Sequence, residues 1–469
     1  MSATNYDVRI ILGILVVSIL VIFFFFKFAK NWQESLLVLF LLGGTTVYSG
    51  IGIAQDAVDK TYIPIFFIFM IFEGIGLFLG FKVFRPKEEP TSFFTPLARS
   101  NKIMNAIAIL YWGIIVIFLV YPTNHLLDFF TFSVKTDISG VFETRAAKRT
   151  NSIVYVLGLL STMLSVFYYM FLASKSKRVI ISLLLLEDYC FIITNGYIGR
   201  TELMMLLIRI ILVLVIFAPI QFNVDHSIKK EQDDRNDQGD SDNEASNTEK
   251  NKLRRLLFLS LILMGGFFLF VPFLVSYQFT RKGIDYAETD YLASLQFIFE
   301  NEVYYPIFYE TTESLKGFII TPLQYLYWFL TLPIPKELVS LPKSIAINNI
   351  VSEELTGIFM GESNYVILLI SLLGEGILLW GKYLCFIHGL FIGFVWGSIG
   401  SCISRYKELV IFQIFFITKT FNMIRGGSQG SISFMVNCFI PFFVISFVSY
   451  TLFYKKRLLL NSKPETIRG

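Results

Sequence analysis

The residues best suited to chemistry in this chain are basic side chains lying at the ends of apolar runs. Arg200 stands in NGYIGRTELMM beside Glu202, and Arg425 stands in NMIRGGSQGS, where glycines follow it. Arg145, Lys148 and Arg149 share the segment VFETRAAKRTN. Arg281 and Lys282 open a long polar stretch, and Lys336 and Lys343 sit among prolines in LPIPKELVSLPKS. A guanidinium is permanently charged and presents a planar fork of donors matched to phosphate oxygens. Several such groups converging at one membrane face would suit a lipid-linked diphosphate. The plainer alternative is that each cation snorkels to lipid headgroups.

Carboxylates form a second set. Glu187 and Asp188 lie inside an apolar run, and Glu73 and Glu375 lie within or at the mouth of others. An ionised carboxylate in hydrocarbon is costly, so each should face a cavity or a partner. Between Ser276 and Gly361 ten acids outnumber five bases, and tyrosines crowd the same stretch, including Tyr304, Tyr305, Tyr325 and Tyr327. Acidic and aromatic side chains together suit sugar hydroxyls and ring faces. A solvated acidic surface and an interfacial aromatic belt are the plainer readings.

The elements that must position these groups are apolar helices. Of the 469 residues, 54% are hydrophobic and 17% aromatic, well above soluble-domain usage. Apolar runs fall at about 8–28, 35–54, 63–84, 103–121, 152–173, 179–194, 203–220, 253–276, 376–403, 409–424 and 432–453. In hydrocarbon each must be helical to satisfy its own backbone. The expected fold is therefore all-α: one polytopic membrane domain over residues 1–469, with about 11–12 transmembrane helices and one large outer loop over 276–361. Within that loop, 317–332 is short and bounded by Pro322 and Pro333, which suits a re-entrant or interfacial helix. The glycines at 389, 393, 397 and 400 share one face of a helix expected to run unbroken over 376–403, where they permit close packing.

Loop charges give the orientation. With the N-terminus outside, 24 of the 40 Lys and Arg fall inside, 13 outside and three within spans, which favours a cytoplasmic C-terminus. The stretch 225–252 is polar and aperiodic and reads as a disordered cytosolic linker; its Asp-Ser-Asp at 240–242 belongs to that low-complexity context. A formal net charge of +4, dispersed along the chain, gives no basis for a nucleic-acid partner. Four cysteines in apolar runs and three histidines predict neither a disulfide framework nor a metal centre, and no cofactor fingerprint is present.

The order of these motifs resembles a known family. A Gly-Arg turn (NGYIGRTELMM) precedes a large outer loop with a proline-basic segment (LPIPKELVSLPKS). A Gly-Glu turn then enters a glycine-spaced helix (LLGEGILLWGKYLCFIHGLFIGFVWGSIG), and an Arg-Gly turn (MIRGGSQGS) closes the series. In this layout the chain is similar to the Wzy-type oligosaccharide repeat-unit polymerases of O-antigen and capsule synthesis. Members often carry arginine in the proline-basic segment, where this chain has Lys336. The resemblance implies a metal-independent membrane glycosyltransferase without a cofactor, at the outer face of a bacterial cytoplasmic membrane. Its donor and acceptor would be undecaprenyl-diphosphate-linked oligosaccharides, and a flippase and a chain-length regulator would be its partners.

On that reading Arg200 and Arg425 serve the leaving diphosphate, with Arg281, Lys336, Lys343, Arg145 and Arg149 binding it or the glycan. Glu202, Glu302 and Glu375 are candidates for handling the acceptor hydroxyl, and Tyr304 and Tyr305 for sugar contact. Two other classes share much of this pattern. A flippase or secondary transporter would also be polytopic with intramembrane acids, although no internal repeat is visible. A glycan ligase would share the lipid donor and the basic outer site.

Overall fold

The structure is a computed structural model, and it describes residues 6–84, 101–121, 124–131, scattered positions from 157 to 168, 177–195, 303–332, 347–359, 368–404 and 410–450. The helices in chain order are α1 (Val8–Phe26), α2 (Trp32–Thr45), α3 (Tyr62–Phe84), α4 (Asn101–Val120), α5 (Leu126–Thr131) and α6 (Lys177–Asn195). After them come α7 (Tyr309–Ser314), α8 (Pro322–Thr331), α9 (Ile347–Thr356), α10 (Leu372–Trp380), α11 (Phe386–Ser404), α12 (Val410–Gly426) and α13 (Ser428–Tyr450). Among the described residues the only β-type pairing is an isolated bridge between Tyr6 and Gln55. Among the described residues four segments are long and apolar enough to cross a membrane: Val8–Phe26, Gln33–Ala54, Tyr62–Phe84 and Phe386–Ser404. The chain is thus a helical protein with membrane-spanning character.

Two compact units divide it, one built from Met1–Leu97 with Phe299–Gly469 and the other from Ala98–Ile298. In the second unit, Tyr111, Ile114 and Phe118 of α4 pack with Cys190 and Ile193 of α6. Glu187 and Asp188 are buried there. The expected spans at 203–220 and 253–276, the linker 225–252 and the first part of the 276–361 loop lie outside the described residues.

The first unit is organised on α3 and α11. A Cβ added at Gly393 would lie 2.1 Å from the carbonyl oxygen of Glu73, and one at Gly397 would lie 2.5 Å from that of Leu77. From the other side, Cβ atoms at Gly76 and Gly80 would lie 2.3 and 2.5 Å from the carbonyl oxygens of Leu390 and Phe394. Backbone therefore meets backbone along both helices, which only glycine allows. The glycine face expected from 389–397 is a packing seam, and its partner is α3. Gly400, further along, meets the side chain of Leu37 on α2 instead.

α2 is capped by the Asn31 side chain, which accepts from the Glu34 amide, while Glu34 Oε2 accepts from the Lys30 amide at 2.8 Å. At its far end α2 loosens into a π-helical turn (Thr46–Gly50) and then a tight 3₁₀ turn (Ile51–Ala54). The start of α1, the end of these turns and the start of α3 meet at one end of the unit. There the Asp7 amide donates to the Ala54 carbonyl at 3.0 Å, and the rings of Tyr62 and Tyr309 stand 5.3 Å apart. The α12–α13 turn and the start of α11 share that end, through contacts described below.

One expectation fails. The run 376–403 is not a single helix: α10 ends at Trp380, Gly381 takes a φ of +79°, and α11 begins only at Phe386. Glu313 of α7 anchors the break, accepting from the Lys382 amide at 3.4 Å with Oε1 while Oε2 stands 3.6 Å from Lys382 Nζ. A nine-residue helix rises only about 14 Å, half a bilayer core, so the break adds no crossing. Gly381→Ala, which places a side chain in left-handed backbone, is expected to cost about 1–2 kcal/mol in thermal unfolding of the purified protein.

Candidate functional site

The site is the turn between α12 and α13. It begins at half-buried Arg425 in the last turn of α12, passes Gly426, and reverses at Gly427, whose φ is +81°. The next residue, Ser428, opens α13, so its amide is one of the donors that a helix start leaves unpaired. Glu375 of α10 takes that donor from across the fold. Its Oε2 accepts from the Ser428 amide at 2.6 Å and its Oε1 accepts from Ser428 Oγ at 3.0 Å. The negative carboxylate thereby sits at the positive end of the α13 dipole.

Two further side chains close this knot. His388 of α11 places Nε2 3.2 Å from Glu375 Oε2, and the Tyr325 hydroxyl of α8 donates to Ser428 Oγ. Glu375 and His388 are each 1% exposed, Ser428 0% and Tyr325 4%. Burial, with the nearby Glu375 carboxylate adding to it, pushes the Tyr325 phenol up, so it stays a donor. A Cβ at Gly427 would stand 3.2 Å from Glu375 Oε2, so the same glycine supplies both the reversal and the room for the carboxylate.

The surroundings hold the knot from two sides. Asn348 of α9 donates from Nδ2 to the Gly426 carbonyl at 2.8 Å and accepts the Ile370 amide on Oδ1 at 3.3 Å. Ser371 caps α10, accepting the Gly374 amide at 3.2 Å, and its Oγ also meets the Tyr309 hydroxyl at 3.2 Å. The Tyr305 ring lies against Gly374, where a Cβ would come within 2.5 Å of it. Burial pushes the phenols of Tyr305 and Tyr309 up. Tyr304, less buried, accepts the Leu369 amide on its hydroxyl at 3.3 Å.

Of the residues singled out from the sequence, Glu375 bonds Ser428, which follows Arg425 by three positions in the same turn. Tyr304 and Tyr305 stand behind them; Tyr305 is buried and bonded to Thr312 at 3.0 Å. Arg145, Arg149, Arg200, Glu202, Arg281, Glu302, Lys336 and Lys343 lie outside the described residues. No family model matches the chain, and neither a curated protein nor a solved structure matches it significantly.

Sequence reasoning missed the roles of His388, Ser428 and Asn348. Ser428 had a visible signal, a serine after a double glycine at the start of an apolar run, which is how a helix opens. His388 had none, since nothing in the spacing ties it to Glu375. Residues 426–430 also spell G-x-S-x-G, a pattern that marks a nucleophilic serine on a strand-to-helix elbow. Here helices stand on both sides and the serine is fully buried, so the pattern carries no such chemistry. What the arrangement offers is a fixed turn with a guanidinium at its mouth.

Proposed function

We propose that this chain is a membrane glycosyltransferase that joins lipid-diphosphate-linked oligosaccharide repeat units into a surface polysaccharide, in the manner of the polymerases it resembles. The observation carrying this reading is the clamped Arg425 turn. A permanently charged fork stands on backbone held by Asn348 and Glu375, at the end of the unit where α1 and α3 begin. By the loop-charge bias that end would face outward, at the outer surface of a bacterial cytoplasmic membrane, with the C-terminus inside.

In the reaction, an acceptor hydroxyl oxygen attacks the anomeric carbon of the donor sugar. The carbon–oxygen bond to the lipid diphosphate breaks, and the diphosphate leaves with the bonding electron pair. The hydroxyl proton passes to a carboxylate or to solvent. Negative charge grows on the leaving phosphate oxygens, and preorganised cations stabilise it most when their positions are already fixed. Arg425 and Arg200 take that role, with Lys336, Lys343 and Arg281 binding the diphosphate. Both oxygens of Glu375 are engaged by Ser428 and His388, which suits it to holding the turn, and leaves Glu202 and Glu302 for the acceptor hydroxyl.

The test uses the host strain. Deleting the gene should remove the long-chain polysaccharide ladder on a gel and leave single-repeat glycan at the surface. Complementation with Arg425→Ala should lower polymer formation by about 10²–10³-fold, and Arg425→Lys should restore it only in part, because an ammonium lacks the fork. A normal ladder from Arg425→Ala rules out its role. Lipid-linked repeats accumulating on the inner side indicate a flippase, and intact polymer left on its lipid carrier indicates a ligase.

A further inference from the structure

Away from that turn, four buried side-chain oxygens on α1, the π-helical turn and α3 have no hydrogen-bond partner; one, Tyr62 Oη, lies at the start of α3, and the other three lie deeper. Glu73 of α3 is 0% exposed; its Oε1 accepts from Thr45 Oγ1 at 3.2 Å, and its Oε2 is unpartnered. Ser18 Oγ on α1 and Ser49 Oγ on the π-helical turn are likewise buried and unpartnered.

Helix register brings the three within about one helical turn of one another. Thr45 stands opposite Glu73, Thr46 Oγ1 lies 3.9 Å from Met70 Sδ, and a Cβ at Gly50 would touch the Phe66 ring. Ser49 therefore lies within about one helical turn of Glu73. On α1, Ile14, Ser18 and Phe25 form the buried face, and Phe25 packs against Gly74, the residue after Glu73. Ile22 stands beside Gly43, which places Ser18, one turn earlier, near the level of Thr46 and Val47. The π-helical turn touches both α1 and α3. Such turns recur at functional sites because they disturb the regular backbone ladder. This one also connects outward: the Ser49 carbonyl accepts from the Tyr309 hydroxyl, which meets Ser371 at the end of the unit.

A carboxylate enclosed among apolar helices needs a compensating positive charge. Among the described residues no cation bonds Glu73 Oε2, although Arg425 of α12 stands near its level, since its neighbour Ile424 packs on Gly44 beside Thr45. Arg9 and Lys27 stand about two and a half turns to either side of Ser18 along α1, Lys82 as far from Glu73 along α3, and Glu34 about three turns away along α2. Tyr48 turns its ring to Phe421 at 5.7 Å, and His388 of α11 is committed to Glu375. We propose that Glu73, Ser18 and Ser49 form a site for one small monovalent cation, a proton or a sodium ion, reached from the end of the unit that carries Tyr309 and Ser371. Oxygen is the ligand type that both cations take, and three oxygens from three successive helices supply it.

The test treats the purified full-length protein in detergent with N,N′-dicyclohexylcarbodiimide, in sodium chloride and in choline chloride, and maps adducts by mass spectrometry. The carboxyl O–H adds across one C=N bond of the reagent, and the product rearranges to a stable N-acylurea with nothing lost. An adduct at Glu73 in choline chloride is expected, absent from Glu73→Gln while other carboxyls label as before. Severalfold suppression by sodium identifies a sodium site; equal labelling in both salts identifies a proton site. In a Ser18→Ala, Ser49→Ala double variant, labelling or its sodium protection should change severalfold. Absence of the Glu73 adduct in both salts overturns the site, and a double variant that behaves like the parent overturns the serines' part in it.

Discussion

Glu375→Ala should destabilise the protein by about 3–5 kcal/mol, because it strips the partner from three buried donors at once. The Ser428 amide, the Ser428 hydroxyl and His388 Nε2 all converge on the one carboxylate. Glu375→Gln keeps the shape but not the pattern. If the amide oxygen takes the Oε2 position, its NH₂ group faces Ser428 Oγ, which already accepts from Tyr325. If it takes the Oε1 position, the NH₂ group meets two N–H donors. Gln should therefore cost about 2 kcal/mol, between Ala and the parent. Thermal unfolding of the three proteins in detergent checks the order, and equal midpoints would remove the clamp from the account. On the proposed function, polymer formation should fall in step with the clamp, since Arg425 stands on the turn that Glu375 holds.

The second large effect is expected at the α3–α11 seam. Gly393→Ala puts a methyl 2.1 Å from a backbone oxygen, which no rotamer change relieves, and the helices must part. A loss of at least about 3 kcal/mol is expected, with Gly393→Val failing to accumulate in the membrane. Gly13, Gly113 and Gly430 have nothing within 4 Å of an added Cβ, and alanine at these positions serves as the control. In helix interiors that change is neutral to favourable by up to about 1 kcal/mol. Membrane yield and unfolding midpoint distinguish the two groups. Indifference at Gly393 would mean that the seam is looser than its backbone contacts imply.

Much of the fold was legible because hydrophobic runs and glycine spacing are local signals. The run expected at 8–28 is α1, and that at 63–84 is α3, each within two residues at either end. The break at Gly381 was not legible: LLGEGILLWGKYLCF is apolar apart from Glu375 and Lys382, and what anchors the break is Glu313, some seventy residues earlier. The site divides the same way. Arg425 stood out as a charge followed by two glycines, on the side that the loop-charge count disfavours. Glu375 stood out as an acid in an apolar run. Their connection through the Ser428 amide is a contact between a side chain and a distant backbone group, and sequence does not encode such pairs by type or spacing. Glu73 was visible for the same reason as Glu375, yet its level partners on α1 and α2 emerge only when the helices are packed.

The seam between α3 and α11 also sets a schedule for biogenesis. Roughly three hundred residues separate the end of α3 from the start of α11. At about 5–20 residues per second, α3 waits some 15–60 s in the bilayer before its partner is made. During that interval Gly76 and Gly80 leave an open groove along α3, bounded by lipid or by a translocation factor. The chain thus commits its central helix early and completes it late, and a nascent chain stalled before α11 leaves the ribosome with that groove unfilled.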